Sequence, residues 1–517
     1  MHLDTNQMFR HFSVEAPVAN NELDNRMRQM EVAERHLQNV KDAIGHLRAH
    51  QERVSELTET QKLVQWKRVA GWLPNVGRGA LSMVLHSTPL KQVDQDPAQI
   101  SVLKSRFFDV AMPENVQPSN QMYSGRCWMF AGLNILRRSL IRANKLKPDF
   151  ELSQSYLFFW HYFEQYNYML NLFFYESLPA IEAADMLEKP LHDGGNWITF
   201  RRLVCKYGIV PKNLYRESWP TSHSSEMNAV LSNLLRKDVR DCVAKTEPDF
   251  REFRDTRLKA VFQILCSFMG APPMSSIECV FENVQHKLLK CVQTPRLFFD
   301  SLNKSFDIEQ HIQLVHDMRN VNGWHTTQHQ GLRGTPNVIF NVHDDGKMDL
   351  WFNCILESIR CGRAVWFACN MSEDVSAKLQ GMADKLYDPE KFLNSPSVDP
   401  TSDEYNSLEM SKVDRITWGR AKCNHAMLIV GVETKEIEKV DEETKKITKV
   451  VECQSFNIEN SWGATGPGKG FYKMTAAWFR KHVFTVVIHR AILEKVGMVI
   501  PKREEKLPEY PFWDFFG

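Results

Sequence analysis

Met129, Leu133, Leu136 and Leu140 recur at i, i+4, i+7 and i+11, which is the period of an amphipathic helix. This pattern predicts a helix that opens near Cys127, with Pro148 as its stop. An aromatic-rich helix is predicted over Tyr156–Leu172, with Ser153 as its N-cap. Asp193-Gly-Gly-Asn-Trp197 reads as a turn. Phe200, Leu203, Val204 and Tyr207 then mark a third helix, ended by Gly208 with Pro211 beyond it. Leu231–Val239, Ala260–Met269 and Val280–Leu289 read as further amphipathic helices. The apolar runs at Cys361–Phe367, Leu428–Val432 and Val483–Ile488 read as buried strands, and Phe471–Met474 as another. Charges alternate with apolar residues over Lys435–Lys449, as expected of a solvated hairpin extension. At the other end, Ala33, Leu37, Val40, Ile44, Leu47 and Val54 share one heptad seam, with Gln51 as a polar exception. Residues 1–60 therefore read as a helical extension that packs on the body or on a partner subunit. Gly71–Pro74 and Asn75–Gly79 form a loop region, and an extended approach to Cys127 follows.

Composition narrows the class. A hydrophobic content of 43% with 25% charged residues is that of a globular chain with a sizeable core. The formal net charge of +1 provides no field for nucleic acid or acidic membranes. No apolar run reaches the ~20 residues that span a bilayer. Met1–Arg10 lacks the basic-then-apolar layout of a secretory signal. The eleven cysteines include no Cys-x-x-Cys pair, which argues against a zinc ribbon or a redox dithiol.

The candidate chemistry lies in two distant stretches. Cys127 sits in the first turn of its predicted helix, where free N–H groups and the dipole favour an anion and lower a thiol pKa. Gln121, on the same short loop, can donate a side-chain N–H. Nucleophile and donor together make half of an acyl-transfer site. The other half lies about three hundred residues on. His425, at the head of the Leu428–Val432 run, can take the thiol proton. Asn460 can fix its ring, and Trp462 can cover their contact. Singly, Cys127 also fits a structural thiol and His425 a core histidine. In the order Gln, Cys, His, Asn they suggest one catalytic set.

At these residues the chain resembles the papain-like cysteine proteases, and within them the bleomycin hydrolase branch. The stretches that carry the resemblance are Ser124–Phe130, Leu152–Trp160, Asp193–Trp197, Tyr207–Lys212, Ala364–Phe367, His425–Met427 and Glu459–Gly463. The resemblance implies an α+β, two-lobe fold: a helical lobe and an antiparallel, barrel-like β lobe. The expected division is an N-terminal extension (1–60), a helical lobe with the nucleophile (61–224), a helical insertion for assembly (225–350), a β lobe with His425 and Asn460 (351–500) and a C-terminal tail (501–517). It implies Cys127, His425 and Asn460 as catalytic residues, Gln121 at the oxyanion hole, and Trp128 and Trp462 as supports. Gly194, Gly195 and Asn196 would line the substrate cleft. Ser124 stands where secreted relatives carry a disulfide-bonded cysteine, and the partner region around Asp193 has none either. That implies a reducing, cytoplasmic compartment.

The resemblance further implies a peptide or amide substrate, no metal or organic cofactor, and assembly into a homohexameric ring. Its tail, with a Trp-Asp motif, would enter the cleft and pair a terminal carboxylate with the substrate's free amine. Here Trp513-Asp514 is followed by Phe515-Phe516-Gly517, where the branch has Pro-Met-Gly and continues, so the gate at Gly517 is expected to be shorter or displaced. The alternatives are an endopeptidase with an inhibitory N-terminal segment and a non-catalytic or nucleic-acid-binding ring. His325 and His329 are spaced as on a metal-binding helix face, but no third ligand accompanies them. Gly463–Lys469 approaches a phosphate-binding loop. It lacks the final Ser or Thr and leads into a strand, so a Gly-rich turn is expected.

Overall fold

The structure is a computed structural model. It describes residues 95–114, 116–176, 178–319, 322–327, 337–342, 348–387, 410–440, 447–501 and 507–510. Contacts divide the chain into Met1–Val93 and Asp94–Gly517, and the described residues all belong to the second unit. The predicted seam at 33–54, the loops at 71–79, His329 and the tail residues Trp513, Asp514 and Gly517 lie outside them.

The described chain opens with α1 (Pro97–Lys104), capped by the Asp96 carboxylate on the N–H of Ala98 at 2.7 Å. The extended approach expected here is thus interrupted by one short helix, marked by Asp followed by Pro at its first position. β1 (Val110–Ala111) leads to the central helix α2 (Cys127–Asn144), whose first residue is Cys127. α2 ends four residues before Pro148, because Lys145 takes a left-handed conformation (φ 50°) and its N–H caps Ile141 O. The helical side continues with α3 (Gln154–Tyr175), α4 (Ala180–Glu188), α5 (Trp197–Tyr207), α6 (Trp219–Ser222), α7 (Ser225–Cys242) and α8 (Glu247–Met269). Ser153 caps α3 through Tyr156 N, and Gly208 (φ 78°) ends α5, both as their residue types predict.

Val280–Leu289 is not helical. It falls within a hairpin of β2 (Ile277–Glu282) and β3 (Leu288–Gln293), paired antiparallel from Ile277↔Gln293 to Glu282↔Leu288. The helix-spaced residues Val280, Val284 and Leu288 are all exposed. Burial instead follows a period of two: Ile277 and Cys279 point inward, Glu278 and Val280 outward. The turn is closed by Asn283 Oδ1, which accepts the N–H of Gln285 at 3.0 Å and of Lys287 at 2.8 Å. After α9 (Pro295–Phe306) the chain enters the main sheet with β4 (His311–Val315), β5 (Gly323–Thr327) and β6 (Asn337–Asn341). The 225–350 stretch is therefore not a purely helical insertion: a hairpin interrupts its helices and three strands of the main sheet follow them, with His325 on one of these strands.

α10 (Met348–Arg360) precedes β7 (Val365–Cys369); Cys361–Ala364, expected as strand, is the turn between them. β8 (Val375–Ser376), β9 (Gly381–Met382) and α11 (Lys412–Thr417) follow. The long pair β10 (His425–Val440) and β11 (Ile447–Glu459) forms the expected hairpin extension. β12 (Phe471–Thr475), α12 (Ala476–His482), β13 (Val483–His489), α13 (Arg490–Lys495) and β14 (Glu509–Tyr510) complete the described chain. Gly463–Gly470 is the turn between β11 and β12. The sheet runs β14-β5-β6-β4-β13-β7-β10-β11-β12-β9-β8, with β1 beside β10.

The central strands are buried on both faces, so their apolar residues run without alternation. Trp366, Ala368, Ala426, Leu428 and Val430 face the core that includes α2 and α3. Val365, Phe367, Met427 and Ile429 face a second core around α10 and α12. α2 packs on β7 and β10, which brings its N-terminus to the head of β10.

Candidate active site

Cys127 and His425 meet where α2 begins and β10 begins. Both are nearly buried, at 7% and 8% exposure, so their charges are little screened by water. His425 Nε2 lies 2.9 Å from Asn460 Oδ1. That same oxygen accepts the Ser461 N–H at 2.8 Å, which orients the amide. An oxygen only accepts, so the His425 proton sits on Nε2, and Nδ1 is left able to accept one. The Cys127 thiol and the His425 ring are close enough to shift each other's proton affinity. Burial pushes the Cys127 thiol up, but the charge of His425 and hydrogen bonds from His425 and the Ala426 and Trp128 N–H groups outweigh it. The net effect is a lowered thiol pKa. Burial likewise opposes a charged His425, yet Cys127 and Asn460 hold that ring above its ordinary value. The opposite shifts favour a thiolate–imidazolium pair.

The other thiols behave differently. All eleven cysteines are free. Burial pushes Cys205, Cys354, Cys423 and Cys453 each up to about 12. The helix start adds to the contrast: Arg126 provides no side-chain cap to α2, and the Trp128 N–H of the first turn helps to lower the thiol pKa.

The two chain segments of the site are stitched by backbone. Gln121 N–H donates to Ser461 O at 2.8 Å and Gly463 N–H to Ser119 O at 3.0 Å, around a bridge between Asn120 and Trp462. Gln121 is buried and its amide is held at both ends. Ser461 Oγ donates to its Oε1 at 2.5 Å, and its Nε2 donates to Ser124 O at 2.7 Å. Trp462 lies over His425, with ring centroids 5.1 Å apart, and edges onto Tyr472. Trp128 is 1% exposed; its indole N–H donates to Asp193 O at 2.8 Å. Ser124 is a structural residue: its hydroxyl donates to Gln121 O and accepts from Arg126 Nε.

Sequence reading missed two residues that hold these parts. Asp193 accepts four donors: Gly125 N–H at 2.9 Å, Tyr162 OH at 2.5 Å, Ser224 OH at 2.6 Å and Asn228 Nδ2 at 3.1 Å. Burial raises its pKa, but these hydrogen bonds win and hold the carboxyl low. Glu459, next to Asn460, is buried against Arg138 of α2 and accepts Asn134 Nδ2 at 2.9 Å. Both residues sit inside stretches quoted for their neighbours, and nothing in their spacing reveals the partners. Of the cleft residues, Asn196 caps α5 through Thr199 N. A Cβ on Gly195 would lie 2.6 Å from the Trp128 ring, so this glycine allows the close approach of Trp128.

Comparisons with known proteins fit this geometry. A family model described as Peptidase C1-like matches residues 60–517. The chain belongs to this family of papain-like cysteine peptidases. It is 28% identical to a human bleomycin hydrolase over 428 residues, 79% of this chain and 88% of that protein. It is 31% identical to an aminopeptidase C of Lactobacillus helveticus over 392 residues, 73% and 80% of the two chains. Among solved structures, the crystal structure of PepW from Lactobacillus rhamnosis superposes with a TM-score of 0.72 at 25% identity, over 86% of this chain and 95% of that one. The peptidase therefore has the α+β, papain-like fold its motifs implied. Among its described residues no helix is long and apolar enough to cross a membrane. Asp374, Asp384 and His482 bring possible ligand atoms within 4.8 Å of one another. Arg415 donates to His482 Nδ1, however, and burial first, then the charges of Arg415, Lys481, Lys412 and Arg420, depress that ring's pKa. This surplus of positive charge opposes a cation.

Proposed function

We propose that this peptidase is an aminopeptidase of the bleomycin hydrolase type, with Cys127, His425 and Asn460 as its catalytic set. The observation that carries the reading is the line Cys127–His425–Asn460, with a lowered thiol pKa and a raised imidazole pKa at its centre. Cys127 thiolate attacks the amide carbonyl and forms the tetrahedral adduct. His425 then gives its Nδ1 proton to the leaving amine as the C–N bond breaks, leaving a thioester. Water, deprotonated by His425, attacks the thioester, and the thiolate departs. The Cys127 N–H and the second hydrogen of the Gln121 amide hold the oxyanion, a contribution of about 3 kcal/mol per donor. Trp462 keeps water from the His425–Asn460 contact, and the turn at Gly194–Gly195 borders the cleft.

Restriction to free N-termini is supported by the relatives named aminopeptidase C. A tail carboxylate paired with the substrate ammonium would account for that restriction. A homohexameric ring and a cytoplasmic location fit the same resemblance. The test is cleavage of an aminoacyl fluorogenic amide beside its N-acetylated twin, with Cys127→Ser as control. Turnover of the free amine alone, abolished by the substitution, is expected. Equal turnover of both would make the enzyme an endopeptidase or general amidase. No cysteine-dependent turnover would point to a silent scaffold.

A further inference from the structure

Beside the nucleophile the chain displays an aromatic shelf that the catalytic set does not use. Met122 sits in the left-handed region (φ 54°), held by its N–H on Asn120 Oδ1 at 2.9 Å. This kink turns Tyr123 outward, and it is 79% exposed. Its ring meets His223 at 5.2 Å, and His223 stacks flat on Trp219 at 3.6 Å and 7°. Trp219 is itself 68% exposed. Large apolar surfaces left in water beside a cleft point to a ligand.

The shelf is fixed at both ends to the catalytic loop. Arg126, the residue before Cys127, is fully buried and makes a bidentate pair with Glu217 at 2.9 and 3.2 Å, just ahead of Trp219. Ser224, next to His223, donates to Asp193 at 2.6 Å, and Asp193 in turn accepts Gly125 N–H. The three rings thus stand on the Gly125–Asp193 side of Cys127. Once the amine has left, the acyl portion remains bonded to Cys127, so a surface fixed to the Cys127 loop is placed to meet it.

We infer that Tyr123, His223 and Trp219 form the side-chain subsite for the residue on the acyl side of the scissile bond, and that it selects an aromatic or large apolar side chain. The inference rests on the cysteine aminopeptidase reading, in which that residue is the substrate's N-terminal one. Stacking on a preformed aromatic face holds ground state and transition state alike, so its loss appears in KM more than in kcat.

The test compares Phe and Ala aminoacyl fluorogenic amides on the full-length enzyme and on Tyr123→Ser, Trp219→Ala and Tyr123→Phe. The wild type is expected to favour Phe. Tyr123→Ser and Trp219→Ala are expected to lower the Phe-to-Ala ratio of kcat/KM by about three- to tenfold, through KM. Tyr123→Phe, which keeps the ring, retains the ratio. An unmoved ratio in both shelf variants, with turnover intact and still lost in Cys127→Ser, overturns the shelf and leaves the peptidase reading standing. A ratio that moves only with the second residue of dipeptide amides places the shelf on the leaving side and overturns the assignment. No Cys127-dependent turnover removes both readings.

Discussion

At the scale of single residues, the proposed chemistry is set by three groups and their protons. Cys127 is held below the ordinary thiol range and His425 above the ordinary imidazole range. Below the Cys127 pKa the thiolate is protonated; above the His425 pKa the imidazolium has lost its proton. The competent pair exists between them, so kcat/KM against pH is expected to be bell-shaped. Its acid limb should lie below the ordinary thiol pKa and its alkaline limb above the ordinary imidazole pKa. The two limbs belong to the coupled pair rather than to either residue. The rate of alkylation by iodoacetamide should follow the acid limb. An alkylation rate that first rises near the free thiol pKa would contradict the ion pair. Asn460→Ala removes the group that holds the His425 proton on Nε2. It is expected to lower kcat/KM on the order of 10²-fold with little change in KM, measured on the same fluorogenic amide.

At the scale of elements, the site depends on how a loop and a helix start are anchored. Asp193 ties the Gly125 N–H of the cysteine loop to α3 through Tyr162 and to the start of α7 through Ser224 and Asn228. Asp193→Ala leaves those donors without a charged acceptor. It is expected to cost about 3 kcal/mol, read as a lower urea midpoint, together with loss of activity as the Cys127 loop relaxes. Gly195→Ala tests a different constraint. The added methyl meets the Trp128 ring at 2.6 Å, so the ring or the turn must shift. A destabilisation of about 1–3 kcal/mol is expected, measured by thermal unfolding. An unchanged melting temperature would mean that the turn gives way without resistance. The β2–β3 hairpin carries the opposite lesson. Its apolar residues satisfy a helical spacing and a strand spacing at once, and the Asn283 turn and inward-facing Cys279 decide for the strand.

For the molecule as a whole, the two halves of the proposed catalytic set come from helix α2 and from the sheet it packs on, and need a bond between them. Arg138 of α2 and Glu459 of β11 provide one, fully buried and joined by Asn134. Glu459→Ala would leave Arg138 charged in the interior with only the more distant Glu114 carboxylate, at 3.8 Å, to pair with it. The expected cost is about 3–5 kcal/mol, seen as a shifted denaturation midpoint, with activity lost because Asn460 is the next residue. In the double variant Glu459→Ala with Arg138→Met the buried charge is gone, and much of that stability should return. A double variant as unstable as Glu459→Ala alone would show that geometry, not the stranded charge, is at stake.

Local pattern was enough for what depends on neighbours in the chain. The period of Met129, Leu133, Leu136 and Leu140 placed Cys127 at a helix start, and Ser153 and Gly208 marked helix ends. The uninterrupted Leu428–Val432 run marked a strand buried on both faces. The order of Gln121, Cys127, His425 and Asn460, with their flanking residues, was enough to indicate the family. What the pattern could not decide is what depends on which distant groups share a burial site. The amide of Gln121 is oriented by Ser461, the proton of His425 by Asn460 and Ser461, the cysteine loop by Asp193, and the rings of Tyr123, His223 and Trp219 by one another. Apart from Trp219 and His223, four residues from each other, those partners are tens to hundreds of residues apart. Periodicity reports only which face of an element is turned inward. It carries no record of which other element lies opposite, and only the folded chain supplies that pairing.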